Sequence, residues 1–130
     1  MIVSQDVTKF EEISKLLSSR YSVQSISIGK QLCQRLITES TQIYASSTVQ
    51  VITELIDETS SYPILCKDID LLFEPVFQID PFALFMQVSK NKELIVLWPG
   101  DYYNNILSYA SPEHTHYRTW KNPGIEIIKI

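Results

Sequence analysis

The sequence predicts an α/β fold: a three-layer sandwich of helices around a mainly parallel sheet of about five strands. Two observations carry this. Apolar segments of strand type alternate with segments of helical periodicity along the whole chain. The clearest strand, Leu94 to Trp98, is a continuous apolar run, as expected when both faces of a parallel strand are buried. At 130 residues the chain fits a single domain spanning 1–130.

Met1 to Val3 reads as a short first strand. Asp6 or Thr8 can cap a helix in which Phe10, Ile13, Leu16 and Leu17 form the apolar face, ending near Arg20. Val23 to Ile28 alternates apolar and polar residues as a strand does, and Gly29 reads as its punctuation. Leu32, Leu36 and Ile37 indicate a second helix. The Ser/Thr-rich stretch from Thr38 to Thr48 reads as a loop or weak helix. Val49, Ile52, Leu55 and Ile56 mark a third helix, with Ser46 or Ser47 as its cap.

Pro63 to Cys66 is a short apolar strand that runs into polar Lys67 and Asp68. Asp80-Pro81 is a helix start, because Asp caps and Pro suits the first turn. Phe82, Phe85, Met86 and Val88 give this helix, Phe82 to Lys90, an unusually rich apolar content that reads mostly as core, with a surplus that could meet another subunit. Pro99-Gly100 is read as stopping the Leu94 strand. Ile106 to Ala110 and Ile125 to Ile130 are the last strand candidates.

Composition narrows the function. Apolar residues make up 45% and charged residues 20%, a globular balance. The 11 basic residues are outnumbered by 15 acidic ones, without a basic cluster, so direct nucleic-acid binding is not supported. No apolar run reaches the ~20 residues a membrane helix needs. The first ten residues lack the basic-then-apolar order of a signal peptide, so the cytoplasm is the expected compartment. Cys33 and Cys66 are far apart and read as thiols in a reducing environment.

In parallel sheets ligands bind at the carboxyl ends of strands, which directs attention to residues after Val3, Cys66 and Trp98. Asp68 and Asp70 would share a face on a strand and could hold a divalent ion; a polar strand lip is the preferred reading. His114 and His116 would share a face on an extended segment, but two ligands without a third make weak zinc evidence. Neither shows the positioned partner that acid–base catalysis needs. Trp98-Pro99-Gly100, followed by Asp101 to Tyr103, could shape a pocket or a partner surface, or could be a tight turn with aromatic packing.

The segments Ile64 to Phe73, Asp80-Pro81, Leu94 to Gly100, Leu107 to Ala110 and Pro112 to Arg118 resemble the small P-loop protein (BrxF) family of type 3 BREX bacteriophage-exclusion systems. The resemblance covers the second half well and the first half only by element order. It implies a P-loop NTPase-like domain and an accessory role in phage defence. It also implies a phosphate loop after the first strand, over Val3 to Phe10. Such a loop needs glycines, a lysine and a hydroxyl. Here Thr8, Lys9 and Asp68 are the residues left to touch a nucleotide. The glycines are missing, Phe10 replaces the hydroxyl, and Asp6 sets a negative charge where phosphate would sit. Lys67 stands at the Walker B carboxylate position, and Asp68, one residue on, would face the other way on a strand. Lys9 reads preferably as a solvated lysine. The resulting expectation is a domain that has lost ATP hydrolysis, holds no cofactor (neither ATP nor magnesium) and binds other protein subunits. An ATP-binding regulatory switch and an unrelated α/β enzyme using Asp68, Asp70 or the histidines remain as alternatives.

Overall fold

The computed structural model describes residues 1–39, 45–59 and 63–130. The elements are β1 (Ile2–Ser4), α1 (Thr8–Arg20), β2 (Gln24–Ser27), α2 (Ile28–Glu39), α3 (Ala45–Asp57), β3 (Ile64–Lys67), α4 (Pro81–Val88), β4 (Leu94–Tyr103), β5 (Ile106–Tyr109), β6 (Arg118–Lys121) and β7 (Ile128–Lys129). Two 3-10 turns, Asp70–Phe73 and Pro75–Phe77, join β3 to α4. The middle of the Ser/Thr-rich stretch, 40–44, lies outside the described residues.

The parallel strands lie in the order β2-β3-β4-β1-β7, and the antiparallel β5 and β6 extend from β4. The chain runs from β1 across to the far edge at β2, then returns through β3 and β4. Right-handed crossovers in opposite directions put their helices on opposite faces. Strand alternation sorts the side chains accordingly. Ile2, Leu65 and Leu97 pack under Phe10, Ile13 and Leu17 of α1. Val3, Ile64, Cys66, Val96 and Trp98 face the other way, into a larger core with Ile28, Leu32, Ile52, Ile56 and Phe85. The molecule is therefore an α/β sandwich with α1 on one face of the sheet and α2, α3 and α4 on the other.

Asp80 caps α4 as expected: its carboxylate accepts the Ala83 N–H at 3.0 Å, and Pro81 fills the first position. Other expectations need correcting. Gly29 lies inside the first turn of α2, and its N–H donates to the Asp68 carbonyl at 2.9 Å. A Cβ there would also lie 2.9 Å from that oxygen, so the close approach requires glycine. Ser46 and Ser47 lie within α3, which already includes Ala45, and not at a position before it.

Pro99-Gly100 does not stop β4. The strand pairs with β1 as far as Ser4–Pro99, then continues as one arm of a hairpin in which Gly100 faces Tyr109. Proline is tolerated because parallel pairing ends there, and its carbonyl accepts the Ala110 N–H at 3.1 Å. Trp98 is fully buried, with Nε1 donating to the Ser108 carbonyl at 2.9 Å. Burying roughly 200 Å2 of indole at about 25 cal/mol per Å2 contributes on the order of 5 kcal/mol. Phe73 meets Trp98 edge-on and stacks on Tyr109, which ties the 3-10 turn to the hairpin.

Candidate functional site

β1 sends its chain to α1 on one face of the sheet, whereas β4 runs on into the β5–β6 hairpin, whose Leu107, Tyr109 and Trp120 pack with the core of the other face. The cavities lie where the two part, at the carboxyl ends of β1 and β3. The segment leaving β1 is closed by its own hydrogen bonds. The Asp6 N–H donates to Ser4 Oγ at 3.0 Å, and the Ser4 hydroxyl donates to the Asp6 carbonyl at 3.2 Å. The Asp6 carboxylate accepts the Thr8 N–H at 3.0 Å and the Thr8 hydroxyl at 2.6 Å. The N–H groups of Lys9 and Phe10 go to the carbonyls of Asp6 and Val7. None of residues 4 to 10 has a left-handed backbone. The amides of Asp6, Thr8, Lys9 and Phe10 are thus engaged within the segment rather than turned toward an anion.

Asp6 thus occupies the anion position at the start of α1. The Thr8 hydroxyl, and then its N–H, hold the Asp6 carboxyl below the usual carboxylate value of 3.8. Thr8 is exposed and spends its hydroxyl on this contact. Lys9 is exposed and lines a shallow cavity of about 280 Å3 together with Asp101 and Lys129. Asp101 and Lys129 pair at 2.6 Å, and that bond is the main reason the Asp101 carboxyl is held low.

Asp68 lies elsewhere, on a cavity of about 260 Å3 between α1 and the end of β3. Thr8, Lys9 and Asp68 therefore do not share one cavity. Asp68 and Asp70 do not form a strand pair either. β3 ends at Lys67, Asp68 adopts a left-handed φ of 55°, and Asp70 opens the 3-10 turn. That kink brings Lys67 and Asp68 to the same cavity, where strand geometry would have set them on opposite faces.

Asp70 accepts the Tyr109 hydroxyl at 3.0 Å and stands between this cavity and a second one of about 390 Å3 lined by Gln5, Tyr109 and His114. Burial, reinforced by the negative charge of Asp70, pushes the Tyr109 hydroxyl far up. Asp68 and His114 thus lie on different cavities, with Asp70 on the wall between them.

His114 and His116 sit in a turn, not on an extended segment, and His114 Nδ1 accepts the His116 N–H at 3.0 Å. His116 Nε2 lies 3.8 Å from Glu74. Among the described residues no group of three or more His, Cys, Asp or Glu side chains could hold a metal ion. No helix among them is long and apolar enough to cross a membrane.

Sequence reasoning missed the Asp70–Tyr109 contact, which joins residues 39 positions apart. It also missed Lys15, which lines the same cavity as Lys67 and carried no sequence signal beyond the polar face of a helix. No family model matches the chain, and no curated protein or solved structure matches it.

Proposed function

We propose that this chain is an accessory subunit of a BREX-type bacteriophage-defence system, a P-loop NTPase-like domain that has given up ATP hydrolysis and acts by binding other proteins. The observation that carries the reading is the Asp6 carboxylate bonded to Thr8 at the start of α1. A carboxylate there takes the place of phosphate and repels it. Lys67 at the end of β3 further removes the carboxylate that would organise magnesium. The order strand, loop, helix over residues 2–20 and the parallel sheet are in keeping with a P-loop ancestor. Tyr103, three-quarters exposed at the tip of the β4–β5 hairpin, offers an aromatic contact of the kind partners bury.

Co-expression with the methylase, helicase and phosphatase-like proteins of such a system tests the reading. The expected result is co-elution with at least one of them on size exclusion, without ATPase activity from this chain. Elution alone in every combination, or ATP turnover lost in an Asp68→Asn variant, refutes it.

A further inference from the structure

We propose that the cavity between α1 and the end of β3 binds a small zwitterion of the amino-acid class. Its walls carry both signs of charge: Lys15 and Lys67 against Glu11, Asp68 and Asp70. Among the described residues, the ion pairs draw on Arg35, His116 and Lys129, so the two lysines and these carboxylates do not neutralise one another. Charges of both signs that line one space without pairing suit a solute that brings a carboxylate to the lysines and an ammonium to the acids.

The rest of the lining is mostly apolar, supplied by Val7, Phe10, Ile69, Leu97 and Pro99. At about 260 Å3 the space is below the ~300–1,000 Å3 of sites for drug-sized ligands, which favours a small solute. Carboxylates outnumber ammonium groups on the walls, which disfavours a polyphosphate. The left-handed backbone of Asp68 is a local strain at the end of β3, on the cavity that Lys67 also lines. The site borders the first turn of α1 through Val7, Phe10 and Glu11 but does not include Asp6 or Thr8, so the inference does not rest on the accessory-subunit reading.

The test is thermal unfolding and calorimetric titration of the full chain with the standard amino acids at about 10 mM, each beside its decarboxylated amine and its deaminated acid. The expected result is a rise of about 2 °C or more for at least one amino acid, absent for its two singly charged analogues. Lys15→Ala and Asp68→Asn should each weaken that binding about threefold to tenfold. Lys15 is an exposed helix residue, and Asn accepts the left-handed backbone, so both variants keep the fold. No shift from any amino acid, equal shifts from a singly charged analogue, or unchanged affinity in both variants overturns the proposal.

Discussion

The Asp6 carboxylate accepts both the N–H and the hydroxyl of Thr8, at 3.0 and 2.6 Å, so a side chain of the protein supplies the negative charge that the N-terminus of α1 favours. The usual first-turn cap is missing, because Val7 in the half-helical position has no side-chain acceptor. Asp6, one residue back, supplies the acceptor in its place.

Asp6→Ala should therefore lower the melting midpoint by about 2–5 °C near neutral pH. The pH dependence follows from the depressed carboxyl. A group with a lowered folded value stabilises above its unfolded value, here 3.8, and loses that contribution as pH falls through the folded value. The gap between wild type and variant should close in acid below pH 3.8, read by thermal unfolding at a series of pH values.

Gly100 packs against the hairpin so closely that a Cβ would lie 1.9 Å from the Ser108 carbonyl oxygen. That oxygen also accepts the Trp98 indole N–H, so it cannot withdraw without orphaning a buried donor. Gly100→Ala should cost about 3 kcal/mol in urea unfolding. A cost below 1 kcal/mol would mean that the hairpin is looser than described (roughly the range of surface changes).

Burial pushes the Cys66 thiol up to about 12, while Cys33 is exposed. The thiolate is the reacting form, so Cys33 alone should react with a thiol reagent in the native protein and Cys66 only after denaturation. The raised value also predicts that stability falls as pH rises from the ordinary thiol value of 9.0 toward 12, because only the unfolded thiol ionises there. Cys66→Ala should flatten that alkaline loss.

Tyr109 contributes to stability mainly through its ring. It stacks on Phe73 with centroids 3.6 Å apart, and its hydroxyl bonds to Asp70, which is exposed and can turn to water. Tyr109→Phe should cost only about 0.5–1 kcal/mol, and Tyr109→Ala about 3–5 kcal/mol. Equal costs would show that the hydroxyl, not the stack, holds the 3-10 turn to the hairpin.

The layered architecture was legible because parallel strands buried on both faces read as apolar runs, and because helix faces repeat at a fixed period. Leu94 to Trp98 and the Asp80-Pro81 helix start are where this worked best. The hairpin was misread at Pro99-Gly100. Those residues usually punctuate, and only the pairing of Ser4 with Pro99 and Gly100 with Tyr109 shows that the strand carries on. A signal did exist further along: Asn104 and Asn105 adopt positive φ, the backbone of a two-residue hairpin turn, and Asn tolerates it.

The candidate site was partly legible in the same way. The negative charge of Asp6 at the start of α1 was readable from local sequence. The cavity beside it was not, because it depends on a left-handed Asp68 that strand alternation cannot anticipate. The Asp70–Tyr109 bond was equally hidden, since it spans separate elements.

In the proposed reading the Asp6 carboxylate at the start of α1 takes the place of a bound anion. Thermal unfolding of the full chain with and without several millimolar magnesium ATP tests it most directly. An unchanged midpoint is expected, since the amides of Asp6, Thr8, Lys9 and Phe10 are engaged with Ser4, Asp6 and Val7. A saturable rise of about 3 °C or more, abolished by Lys9→Ala, would contradict the account.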